Sequence, residues 1–227
     1  MKILGWILGG VLVVAGAAFL LRESKWHRGF VDATARKPSG RAGRWLYSDP
    51  KPHYKAFRFL LDKLQLTPTD GFLDICCGGG TLLHLALQTV RHAAGLDHSA
   101  DMVALTQANN ARAVTEGRLD VRQGDAQALP WDDNSFDAVS NANALFFIAE
   151  PVQFLRETYR VLKQGGRFAV VTMAKHKLAN MLWVPYRSSI TLYTDEELAR
   201  MLREAGFAAV EAYSPDGYLQ IGYGEKT

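Results

Sequence analysis

The stretch GFLDICCGGGT, residues 71–81, runs apolar through Phe72, Leu73 and Ile75, is broken once by Asp74, and ends in three consecutive glycines. A short apolar run bounded by glycine reads as a buried strand. The following TLLHLALQTV, residues 81–90, reads as a helix. Consecutive glycines let a backbone take positive φ and approach a ligand closely. A strand, a glycine loop and a helix in succession place that loop where open α/β sheets bind their ligands, beyond the carboxyl ends of the strands.

The same alternation extends in both directions. Upstream, Phe57, Leu60, Leu61 and Leu64 recur at helical spacing between His53 and Leu66 and stop before Pro68. Downstream, HAAGLD (92–97), LDVRQGD (119–125), FDAVSNAN (136–143) and RFAVVTMA (167–174) read as strands. Helical segments at 99–113 and 151–163 separate them, the second stopped by Gly165-Gly166. Thr194 and Glu197 form a capping-box pattern opening a helix over 194–205. FAAVEAYS and YLQIGYGEK, joined across Pro215-Asp216-Gly217, make a closing antiparallel hairpin, because a parallel connection needs a dozen or more residues. The expected fold is α/β: a Rossmann-like, doubly wound sheet, mostly parallel, covered on both faces.

Asp97 and Asp125 fall at the carboxyl ends of the second and third strands. A carboxylate at the first position suits the two hydroxyls of a ribose, and one at the second suits an amino-group donor. The dinucleotide fingerprint G-x-G-x-x-G fails, since counting from Gly78 and Gly80 its last position is Leu83. The Gly-Lys-Ser/Thr of a P-loop is also absent. A glycine loop without phosphate-binding features, flanked by acids, suits a nucleoside ligand that carries no phosphate.

FLDICCGGGTLLHLA resembles the first motif, D-x-G-x-G-x-G, of class I S-adenosylmethionine-dependent methyltransferases. GLDHSADMVALTQAN is similar to their second-strand segment, and LKQGGRFAVV to their turn into strand five. GDAQALPWDDNSFDAV resembles the small-molecule and quinone methyltransferase branch. The resemblance spans about residues 53–227 and implies seven strands and S-adenosyl-L-methionine as cofactor. It puts Asp74, Cys76, Gly78, Gly79 and Gly80 along the methionine and ribose end of the cofactor. Asp97 then holds the ribose, His98 and Met102 belong to the same segment, Asp125 and Ala126 meet the adenine edge, and Asn141 borders the methyl-transfer cavity. Cys76 departs from the pattern by standing where the family has its first glycine, which brings a side chain to a place where bare backbone is usual.

No catalytic base is declared by the sequence. His53, Tyr54 and Asn141 are the candidates, His53 and Tyr54 because the family's helix before strand one often covers the cofactor. Methyl transfer needs little acid–base help, because the sulfonium is an activated leaving group and alignment supplies much of the acceleration. No two histidines stand at i, i+4, and the adjacent cysteines Cys76 and Cys77 offer no metal spacing, so no metal site is expected.

The chain has 227 residues, 48% of them hydrophobic and 22% charged, an ordinary globular composition. A net charge of +3 is too mild to point to nucleic acid. The run Ile3–Leu21 holds no charged residue, and as a helix it would reach roughly 28 Å, about the thickness of a bilayer core. This predicts a transmembrane anchor over 1–22, a basic juxtamembrane linker over 23–50, and a catalytic domain over 51–227. Arg22, Lys25 and Arg28 after the span predict a single-pass membrane protein with that domain on the cytoplasmic side. Between strand five and the next helix, Met181, Trp183, Tyr186 and Tyr193 make an apolar lid that favours a lipophilic acceptor. The expected activity is methylation of a small lipophilic molecule, quinone-like, lipid or secondary metabolite. The alternatives are methylation of a membrane protein partner, or a catalytically silent cofactor-binding scaffold. The sequence leaves the oligomeric state open.

Overall fold

A computed structural model of the chain describes residues 36–48, 50–175 and 190–227. Among the described residues two helices precede the sheet, α1 (Gly40–Ser48) and α2 (Tyr54–Leu64), with a 3-10 turn (Lys51–His53) between them. The alternation follows: β1 (Gly71–Ile75), α3 (Thr81–Ala86), β2 (His92–Asp97), α4 (Ala100–Asn109), α5 (Ala111–Thr115) and β3 (Leu119–Gln123). Then come β4 (Phe136–Ala142), a 3-10 turn (Leu145–Phe147), α6 (Pro151–Val161), β5 (Leu162–Met173), α7 (Asp195–Glu204), β6 (Ala208–Tyr213) and β7 (Leu219–Glu225).

The strands form one seven-stranded sheet in the order β3-β2-β1-β4-β5-β7-β6. The pairs among β1 to β5 are parallel, while β7 runs antiparallel to both β5 and β6. The chain therefore winds outward from β1 to β3 and then returns to the far side of β1 for β4. Where the winding direction reverses, the loops after neighbouring strands diverge and leave a crevice.

Side-chain alternation splits the core between the two faces. Leu73 and Ile75 of β1 join Phe154, Leu155, Phe168 and Leu202 on the face covered by α6 and α7. Phe72 joins Leu60, Leu64, Leu82 and Val171 on the face covered by α2 and α3. Both faces of β1 are buried, which is why its sequence reads as a nearly continuous apolar run. Each such side chain contributes about 1.5–3 kcal/mol on burial. The capping box forms as expected: Glu197 N–H donates to Thr194 Oγ1 at 3.2 Å, and Thr194 N–H donates to Glu197 Oε2 at 2.8 Å.

Three expectations change. Gly165 and Gly166 do not end a helix at a turn. The helix stops at Val161 and the chain passes directly into β5, with the glycines inside an irregularity of the β4–β5 ladder where the register shifts. The basic linker expected over 23–50 contains helix α1, which packs on α4. The single-pass membrane localisation is also corrected. Among the described residues no helix is long and apolar enough to cross a membrane. The run Ile3–Leu21 on which that expectation rested lies outside the described residues.

Candidate cofactor and acceptor site

The loop after β1 is held from two sides. Cys77 N–H donates to Leu96 O of β2 at 3.0 Å, and Gly78 N–H donates to the Asp97 carboxylate at 3.0 Å. The carbonyls of the next residues are taken by one face of α4. Thr106 Oγ1 donates to Gly78 O at 2.6 Å, Asn109 Nδ2 to Gly79 O at 2.8 Å and Asn110 Nδ2 to Gly80 O at 3.2 Å. Residues three and four apart share a helix face, so Thr106, Asn109 and Asn110 act as a comb on the glycine loop. That spacing is visible in the sequence, but its meaning depends on knowing what α4 faces.

The glycines have distinct reasons to be glycine. Gly80 has φ +77°, and a Cβ there would lie 2.6 Å from Thr106 Cγ2. A Cβ on Gly79 would lie 2.0 Å from the carbonyl oxygen of Tyr47. Gly79 is thus bare because α1 ends against it. The segment leading into α1 is fastened nearby: Ser99 Oγ donates to Pro38 O at 2.6 Å, and Asp101 accepts from Gly40 N–H at 2.6 Å and from Arg44 at 3.0 Å. Residues 36–48 are therefore a strap across the loop, and Tyr47 lines the cavity beneath it, a placement that the sequence reading missed.

Between loop and strap lies a cavity of about 420 Å³, within the range of small-molecule sites. Its wall includes Asp74, Cys76, Gly78, Gly79, Asp97, His98, Asp125 and Ala126 among the residues expected from the sequence. His53 is on the wall as well. Tyr54, Gly80, Met102 and Asn141 are not. Met102 is wholly buried on the inner side of α4, because its long apolar side chain packs best against the core. Asn141 is also fully buried. Its amide donates to Ile75 O at 2.9 Å, while its Oδ1 has no hydrogen-bond partner among the described residues. Its neighbours Ala142 and Asn143 reach the cavity instead. Residues 176–189, the larger part of the expected lid, lie outside the described residues, and Tyr193 packs into the core.

The polar wall is strongly acidic. Asp74 is buried beside β4, where the register sets it against Ser140, whose Oγ donates to it at 2.7 Å. Burial pushes its carboxyl up to about 7, against the Ser140 hydrogen bond. Asp97 is raised by burial too, opposed by the amide hydrogen bonds from Ser99 and Gly78. Those amides occupy one lone pair on each oxygen, so each oxygen retains acceptor capacity toward the cavity. Asp125 stands exposed at the mouth, held by Gln127 N–H at 2.9 Å. Burial and the nearby carboxylates push the Cys76 thiol well up, so it stays protonated. Cys76 itself sits at φ +61°, a region that favours glycine. This set of acceptors fits a ligand with hydroxyls and a positive charge, and therefore fits S-adenosylmethionine.

A family model described as a methyltransferase domain matches residues 73–170. The ubiquinone/menaquinone biosynthesis C-methyltransferase of Geotalea daltonii is 32% identical over 117 residues, covering 50% of this chain and 50% of that protein. The chain thus spans about half the length of this relative. An uncharacterized methyltransferase of Synechocystis is 31% identical over 173 residues, covering 71% of this chain and 78% of its own. The crystal structure of the YcgJ protein from Bacillus subtilis superimposes with a TM-score of 0.66 at 17% identity, over 77% of this chain and 99% of the other. That likeness shows the shared fold. The chain belongs to the S-adenosylmethionine-dependent methyltransferases, and S-adenosyl-L-methionine is its cofactor.

Proposed function

We propose that the chain methylates a small lipophilic acceptor with a quinone-type ring. The observation that carries this reading is the change in wall chemistry across the cavity. On the side of β2 and β3 the wall includes Asp97, His98, Gln123 and Asp125; on the side of β4 it is mainly Ala142, Ala144, Phe147, Ile148 and Phe57, with Asn143 and His53 as its polar members. An apolar and aromatic half suits a flat hydrophobic ring, and the Geotalea relative is named for quinone substrates.

In this reading Asp97 accepts the ribose hydroxyls, His98 lies beside the adenine, and Asp125 with Ala126 meets its edge. Asp74, Cys76 and the glycine loop face the methionine end, and Tyr47 closes the site from above. When bound, the cofactor supplies a methyl group on a positively charged sulfur that departs as a neutral thioether. The chain's own work is to exclude water with the strap and to hold the acceptor in line against the apolar wall.

The test uses methyl-labelled S-adenosylmethionine with demethylated quinols in detergent. Label is expected in the organic extract. Label confined to protein, or none despite cofactor binding, would overturn the reading.

A further inference from the structure

One titratable side chain stands in the apolar half of the cavity. His53 closes the 3-10 turn before α2, and α2 packs on β4, β5 and β7. That position sets His53 on the β4 side of the wall, with Phe57 and Asn143, away from the ribose acids after β2 and β3. Its ring is fixed between two aromatic neighbours. The centroids are 6.2 Å from Tyr47 at 80° and 6.1 Å from Phe57 at 84°, both edge-on. These edge-on contacts orient the imidazole. Its backbone N–H donates to Pro50 O, and among the described residues no hydrogen bond engages either ring nitrogen.

A half-buried, oriented imidazole with an open lone pair, set in a wall that is apolar but for Asn143, is placed to read a proton on whatever binds there. We infer that His53 accepts the hydrogen bond of an acidic hydroxyl on the acceptor ring and takes that proton during the reaction, so the acceptor is a phenol- or quinol-type molecule. The O–H bond breaks, its electron pair stays on the acceptor oxygen, and the proton passes to the open imidazole nitrogen. The electron-rich ring this leaves is a better methyl acceptor at oxygen or at the adjacent carbon. Burial lowers the proton affinity of His53, which keeps the imidazole neutral and ready to accept near neutral pH. Asn143, on the same wall at φ +54°, supplies a carboxamide for a second ring oxygen.

This inference rests on the lipophilic-acceptor reading and narrows it. The test measures binding alone, with the cofactor site filled by S-adenosylhomocysteine. The probes are 2-naphthol, which carries the hydroxyl, and 2-methoxynaphthalene, which does not. Other groups on this cavity also titrate or carry charge: Arg36, Asp74, Cys76, Cys77, Asp97, His98 and Asp125, with the Tyr47 phenol against the ring and Lys51 on the same turn. The variant His53→Asn therefore separates His53 from them. In the wild type, 2-naphthol affinity should fall about threefold to tenfold on acidification through the lowered titration range of His53, the worth of one neutral hydrogen bond. The methyl ether should show a smaller change, and His53→Asn should remove the difference between the probes. Carbon-labelled histidine NMR, assigned through the same variant, should show His53 titrating below its ordinary range and shifting on addition of 2-naphthol only. Equal pH profiles for both probes, or an unchanged difference in His53→Asn, overturn the His53 role while leaving the lipophilic reading in place. Failure of both aromatics to bind the loaded chain overturns both.

Discussion

The two halves of the cavity are built on opposite principles. The half beyond β1 and β2 is polar, and almost every group in it is already engaged. Asp97 accepts from two backbone amides, Asp74 from Ser140, and the glycine carbonyls from Thr106, Asn109 and Asn110. The half beyond β4 is apolar, and its two polar side chains, His53 and Asn143, make no side-chain hydrogen bond among the described residues. Preorganised dipoles lose little on binding a ligand of fixed shape, which suits the cofactor on the reading proposed above. An apolar wall with few polar groups tolerates variation in all but the atoms those groups read. The difference teaches that one cavity holds a rigid recognition site beside a permissive one.

The largest test of that contrast is Asp97→Ala. It removes acceptors for the cofactor and for Gly78 and Ser99 together, and hydrogen bonds to a charged group are worth about 1.5–3 kcal/mol. Calorimetry should show cofactor affinity lowered about tenfold to a hundredfold or more. Unchanged affinity would place the ribose elsewhere.

Phe147→Ala probes the other half. Trimming a partly buried aromatic costs about 1–2 kcal/mol of apolar contact, so KM for a quinol acceptor should rise about tenfold. Affinity for S-adenosylhomocysteine should stay within about twofold, since the two halves share no partner. A parallel loss in both would show that the halves are coupled and break the comparison.

Asp74→Asn should act with opposite signs on stability and on binding. The wild-type carboxyl is raised to about 7 when folded, from 3.8. In the window from about 4 to about 7 the folded chain holds a proton that the unfolded chain has released, so stability falls as pH rises, and the loss is complete above about 7. Asparagine keeps an oxygen for Ser140 without the charge. The ligand-free variant should therefore melt above wild type at about pH 8, with the gap closing toward about pH 4. Affinity for the positively charged cofactor should fall severalfold more than affinity for neutral S-adenosylhomocysteine. Melting curves that stay parallel across this range would mean that Asp74 is ionised in the folded chain throughout.

The smallest effect belongs to Cys76→Gly. A side chain at φ +61° costs about 1–2 kcal/mol, and glycine returns much of that as chain entropy on unfolding, about 0.5–1 kcal/mol. Stability should change by less than about 1 kcal/mol, and cofactor affinity should hold or tighten. A clear loss of affinity would show that the sulfur makes a favourable contact.

By itself the sequence determined the sheet, its parallel winding and its antiparallel end, because burial on both faces forces long apolar runs and because turn and cap residues act locally. The placement of Asp74, Asp97 and Asp125 on the cavity wall was legible for the same reason: each stands within two residues of a strand's carboxyl end, and the fold places strand ends at the crevice. Tyr47 was not legible. Its fit against Gly79 joins residues far apart in the chain, and a basic stretch with breakers carries no local mark of the surface it will cover. Asn141 and Met102 are buried off the cavity wall, and spacing along a strand or helix gives a position and not the direction in which a side chain finds its partner. Only the tertiary structure decided which glycine serves the strap, which carbonyls α4 would take, and which half of the cavity stays apolar, since each depends on contacts between segments that periodicity cannot relate.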